Sequence, residues 1–172
     1  MHRQQSFLSE QKNEFFEKTS WTVFIDGASR GNPGQAGAGI YVTTAGETIA
    51  KQGFFLATKT NNQAEYLALV LALLLIKKIS SEQKISPSLL TIISDSELLI
   101  KQMKGIYSVK NSALLSMKTV AVNLLQETPH RFMHVLREKN TVADELANNG
   151  IDKKIKIPHD FLIFLSKHNI LV

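Results

Sequence analysis

WTVFIDGASRGNPG, running from Trp21 to Gly34, begins as a β-rich segment and stops at an aspartate followed by glycine. The glycine-rich step Gly31-Asn32-Pro33-Gly34 then turns the chain. Two further β-rich runs follow, AGAGIYVTT (36–44) and ETIAKQGFFLA (47–57), separated by Ala45-Gly46, a plausible hairpin turn. Together these segments predict three antiparallel strands.

Working outward, Thr60-Asn61-Asn62 supplies capping residues for a helix reaching about Ile79. Pro87 and Ser88 break the chain before LLTIIS, a short apolar run of the kind buried in parallel sheets. A helix is expected from Ser96 to about Lys104, with Gly105 as its stop, and a second over Ala113–Gln126. Arg131–Leu136 reads as a last strand and Val142–Asn149 as a short helix. The tail restarts after Pro158 as an amphipathic helix. This order implies an α/β fold, a mixed sheet with helices on both faces. The chain divides into a polar N-terminal extension (1–20) with a short helix around Phe15 and Phe16, a main domain (21–151) and a helical C-terminal tail (152–172).

With 172 residues, 44% of them hydrophobic, the chain suits one domain with a substantial core, and 20% charge argues against wholesale disorder. A formal charge of +5 suits a polyanionic partner. The absence of cysteine excludes disulfides and zinc–thiolate sites and agrees with a reducing cytoplasm. The first twenty residues lack the apolar segment of a leader, and the longest apolar run, Leu67–Ile76, is too short to span a bilayer. No membrane and no obligate protein partner is expected.

Four acids stand out: Asp26 after the first strand, Glu65 in what reads as the first turn of a helix, Asp95 after LLTIIS, and Asp144 in NTVADELA. Strand ends and helix starts meet at one edge of such a sheet, so these remote residues can share a site. Converging carboxylates repel one another and persist when a cation or proton compensates. Hard oxygen donors point to Mg²⁺ or Mn²⁺.

The element order and four motifs, DGASRGNPG (26–34), TNNQAE (60–65), SDS (94–96) and NTVADELA (140–147), resemble type 1 ribonuclease H over about Trp21–Ile151. That resemblance implies a five-stranded sheet, three antiparallel strands and then two parallel. It also implies an endoribonuclease that cuts the RNA strand of RNA–DNA hybrids with two Mg²⁺ ions (Mn²⁺ as substitute), leaving 5′-phosphate and 3′-hydroxyl ends. Asp26 would bridge both ions, Asp144 would complete the one activating water, and Glu65 and Asp95 would hold the one at the leaving oxygen. Substrate contacts would fall to Gly27, Ala28, Ser29, Asn32, Asn61 and Asn62 around the ribose and minor groove, and to Thr60 at a DNA phosphate.

The chain departs from many cellular members in two places. The segment from Gln102 to Asn111 replaces a long basic protrusion with a thin strip of Lys101, Lys104 and Lys110, the last a substrate-binding candidate. The stretch from His134 to Asn140 is a short loop without the histidine of the longer version. His134 is expected to face the sheet as a structural residue, while Arg137 or Glu138 could occupy the vacated space. Alternatives are a broader nuclease acting on RNA–DNA junctions or double-stranded RNA, and a catalytically silent nucleic-acid-binding module. A DNA-directed exonuclease would need D-x-E where this chain reads Asp26-Gly27-Ala28.

Overall fold

The computed structural model describes residues 20–172. The expected extension and its helix around Phe15 and Phe16 lie outside the described residues, apart from Ser20, which opens the first strand. Strands β1 (Ser20–Gly31), β2 (Gly34–Thr44) and β3 (Glu47–Lys59) form an antiparallel meander. Its second turn is built from Ala45 (φ 47°) and Gly46 (φ 81°), the left-handed pair that a two-residue hairpin requires. β4 (Leu89–Ser94) and β5 (His130–His134) then add in parallel beside β1. The five-stranded sheet has the order β3-β2-β1-β4-β5.

Helix α1 (Asn61–Gln83) runs a turn beyond its expected end. Leu67–Leu74 is buried without interruption, so α1 packs all round. The short α2 (Glu97–Met103) follows β4, and α3 (Ser112–Leu125) leads to β5. α4 (Thr141–Asp152) lies on the sheet face opposite α1, against the strand glycines: a Cβ on Gly39 would sit 1.9 Å from the Ala143 carbonyl oxygen. Helix α5 (His159–Lys167) belongs to the tail, and Phe161, Leu165 and Ile170 are buried in the same core as the sheet. No helix among the described residues is long and apolar enough to cross a membrane.

β5 is shorter than expected. It ends at His134, and Arg137–Lys139 forms a 3₁₀ turn. Because β5 is an edge strand, Phe132 alone among its residues is buried, while His134 and Leu136 are exposed. The alternation of Phe132, His134 and Leu136 therefore does not carry His134 inward as expected.

Candidate metal and active site

β1 delivers Asp26 into the sheet interior, 6% exposed, beside the end of β4 that carries Asp95. Glu65 arrives from α1, and its approach depends on Gly27. A Cβ at that position would lie 2.2 Å from the Glu65 backbone nitrogen, so only glycine lets the helix come this close. Thr60 starts the helix with a reciprocal capping box, its hydroxyl accepting from the Gln63 N–H while the Gln63 side chain accepts from the Thr60 N–H. Glu65 consequently lies in the second turn, not the first as the sequence suggested, and the helix end does not supply its charge balance. The Gly27 N–H and the Ser94 hydroxyl support its carboxylate instead.

Carboxylate oxygens of Asp26, Glu65 and Asp95 all lie within 4.8 Å of one another. Burial raises the pKa of Asp26, and repulsion from Asp95 and Asp144 adds to it, so that it reaches about 7. Burial, with Asp26 and Asp95 nearby, holds Glu65 well above the usual carboxylate range. Glu65 Oε2 is buried without a hydrogen-bond partner among the described residues. A desolvated oxygen inside an acidic cluster is the environment that a hard cation compensates. These donors therefore fit a divalent metal ion.

Asp144, in the first turn of α4, is arranged differently. Its Oδ1 accepts from Arg137 Nη2 at 2.7 Å, and its side chain is 31% exposed. That hydrogen bond and ion pair raise the pKa of Arg137. Both side chains line the same cleft of about 450 Å³ as the acidic trio.

Of the expected substrate residues, Gly27, Ala28, Ser29, Asn61, Asn62 and Arg137 line this cleft. Ser29 is held by its hydroxyl, whose one hydrogen has the carbonyls of Gly31 and Lys59 as acceptors. Asn32 and Thr60 stand outside the lining. Asn32 Oδ1 accepts from the Asn61 N–H at 3.1 Å, and Thr60 is engaged as the helix cap. Lys110 is exposed, just before the α3 cap Asn111, and is not part of the cleft. Lys101 pairs with Glu97 at 2.7 Å instead of standing free.

Three lining residues escaped the sequence reading: Arg30, Ser96 and Asn148. Arg30 pairs with Asp152 at 2.6 Å at the rim, and Asn148 donates to the Asp144 carbonyl one helical turn back. The i,i+4 spacing from Asp144 was the available signal for Asn148. His134 lies beside the site, its Nε2 3.2 Å from the Asp95 carbonyl oxygen.

The RNase H family matches residues 18–152. A bifunctional protein of Mycobacterium tuberculosis is 35% identical over 133 residues, which cover 76% of this chain and 35% of that protein. Ribonuclease HI of Halobacterium salinarum is 35% identical over 132 residues, covering 76% of this chain and 63% of the relative. The chain thus spans about a third of the length of the mycobacterial relatives it matches. Among solved structures, LC11-RNase H1 in complex with an RNA/DNA hybrid superposes with a TM-score of 0.72 at 36% identity, over 78% of this chain and 98% of that one. On its fold and on this match across most of its length, the chain belongs to the ribonuclease H family.

Proposed function

We propose that this chain is a metal-dependent endoribonuclease that hydrolyses the RNA strand of RNA–DNA hybrids, leaving 5′-phosphate and 3′-hydroxyl ends. The observation that carries the reading is the convergence of Asp26, Glu65 and Asp95 within 4.8 Å, at the floor of a cleft that Asp144 also lines. A similar protein, LC11-RNase H1, has been solved with such a hybrid, which supports the substrate class.

Asp26, Glu65 and Asp95 would hold one Mg²⁺, and Asp26 with Asp144 a second, with Mn²⁺ as a substitute. Bound there, the ions would supply an activated water and neutralise charge on the leaving oxygen. The chain's own residues do the positioning. The Gly27–Ser29 backbone lies beside the acids, where it can read a ribose 2′-hydroxyl, and the exposed amides of Asn61 and Asn62 both donate and accept toward sugar and base edges. Arg137 places a guanidinium at the cleft for a phosphate, and the net charge of +5 favours the polyanion overall. We read residues 21–151 as the catalytic domain and 152–172 as a tail packed on it. A chain without cysteine is compatible with the cytoplasm.

The test is cleavage of end-labelled RNA–DNA hybrid, RNA duplex, DNA duplex and a single-ribonucleotide junction with Mg²⁺ or Mn²⁺. The expected result is metal-dependent cutting of the RNA strand in the hybrid. Equal cutting of RNA duplex or junction would replace this reading with a broader nuclease. Binding without cutting of any substrate would make the chain a silent nucleic-acid-binding module.

A further inference from the structure

Asn140 is 1% exposed, yet it touches three of the segments that carry the acids. Its side-chain Nδ2 donates to the Ile25 carbonyl at 2.9 Å, next to Asp26 in the chain, and to Asp95 Oδ1 at 2.8 Å. Its own carbonyl accepts the Asp144 N–H at 3.1 Å. The orientation of the amide is determined chemically, because both side-chain partners are acceptors and only the NH₂ group can face them. Among the described residues, the amide oxygen has no hydrogen-bond partner, although it is buried. Such an orphan carries a desolvation cost that a side chain present only for packing would not bear.

We propose that Asn140 is a positioning residue, one that sets the metal-binding geometry of the cluster by tying Asp95 to the strand of Asp26 and the helix of Asp144. The physical need is plain. Asp95 follows the last residue of β4, is only half-buried, and is repelled by Asp26 and Glu65. A carboxylate in that situation would turn toward water. Donation from a buried amide, itself anchored on the β1 backbone, holds one Asp95 oxygen beside its neighbours and so prepares the cluster for a cation. Asn140 need not touch metal or substrate to do this.

The inference rests on the reading of the cluster as a metal site, and the experiment separates the two. Mn²⁺ binding is titrated by electron paramagnetic resonance without nucleic acid, alongside circular dichroism and hybrid cleavage. Outer partners of metal ligands typically contribute about 10- to 100-fold in affinity. Asn140→Ala is expected to keep its fold, weaken Mn²⁺ binding about 10-fold or more and lower kcat, with KM for the hybrid little changed. In an Asp95→Asn background, adding Asn140→Ala should change Mn²⁺ affinity less than about twofold, because the tether then has no ligand to position. Should Asn140→Ala not fold, Asn140→Ser, too short to span both acceptors, is read by the same criteria. A folded variant that binds Mn²⁺ within about twofold of wild type, or one whose full loss persists in the Asp95→Asn background, would overturn the proposal. Failure of the wild type itself to bind Mn²⁺ would overturn the metal-site reading and this inference with it.

Discussion

Asp26 and Glu65 are buried and Asp95 half-buried in one acidic group with no basic hydrogen-bond partner among the described residues, whereas Asp144, lining the same cleft, is partly open to solvent and already paired with Arg137. The contrast separates two kinds of carboxylate. The buried group must be relieved by protons or by a cation, since desolvation and mutual repulsion both oppose its ionised form. The outer carboxylate carries a counter-charge of its own, so a cation arriving there competes with a guanidinium. Metal affinity should therefore reside mainly in the buried group, while Arg137 adjusts how readily Asp144 joins it.

The largest expected effect is on catalysis. Asp26→Asn should lower kcat/KM on the hybrid by about 100-fold or more, because the shared ligand of the cluster is gone. Asp144→Asn should be severely impaired as well. The circular dichroism spectra of both should match the wild type. Residual activity above about a tenth of wild type in Asp26→Asn would refute the assignment of Asp26 as a ligand.

The two halves should next separate in stability. Asp26 has an ordinary value of 3.8 when unfolded and about 7 in the fold, so between these limits the folded protein holds a proton that the unfolded chain has released. Stability must then fall as pH rises through this window, and the Asp26 contribution stops changing above pH 7. The shift corresponds to roughly 4–5 kcal/mol at about 1.4 kcal/mol per unit, an upper figure because repulsion from neighbouring carboxylates contributes to it. Urea unfolding of the metal-free protein should show Asp26→Asn equal to wild type near pH 4 and more stable at pH 8, with added Mg²⁺ closing the gap. Asp144→Asn should show no such gain, since it breaks an existing pair at a partly exposed position. Parallel pH curves for wild type and Asp26→Asn would remove the distinction between the halves.

The limits of sequence reading follow the same division. The acids and the hairpin at Ala45-Gly46 were legible because each depends on a few adjacent residues: a carboxylate at the end of an apolar run, or a residue pair that accepts positive φ. The placement of Glu65 in the second turn of α1 was not legible, since it depends on which of Thr60, Asn61 and Asn62 caps the helix, and the reciprocal Gln63 bond settles that in favour of Thr60. The roles of Asn140 and Gly39 were hidden for a different reason. Both rest on backbone from elements distant in sequence, the Ile25 carbonyl in one case and Ala143 in the other. Local pattern carries no record of such approaches. His134 was misjudged because alternation signals burial only when the strand is covered on one face, and β5 is a sparsely covered edge.

A smaller effect is expected at Arg137. Arg137→Ala removes a positive group lining the cleft and frees Asp144 of its partner, so two quantities should move in opposite directions. KM for the hybrid should rise roughly threefold to tenfold, with the log–log salt slope reduced by about one, as for the loss of one phosphate contact. The metal concentration giving half-maximal rate should fall, because the cation no longer competes with the guanidinium. A rise in the metal requirement would show that Arg137 assembles the site rather than competing for it.

The smallest effect is expected at His134, and its position makes the test informative. The ring is exposed and near the cleft, Nε2 lying 3.2 Å from the Asp95 carbonyl, so location alone would make it a candidate proton carrier. A carrier must reach the attacking water or the leaving oxygen, within about 3 Å or through one bridging water. His134 is engaged with the main-chain carbonyl of Asp95, whereas the Asp95 carboxylate lies with those of Asp26 and Glu65, and the ring is absent from the cleft lining. On the proposed reading, a cation held by Asp26 and its neighbouring carboxylates would supply water activation. His134→Ala should leave kcat within about threefold of wild type, and its pH–rate profile should superimpose on the wild-type curve after scaling. A loss of about 100-fold in a folded variant, or a change in the shape of the profile, would bring His134 into the chemistry.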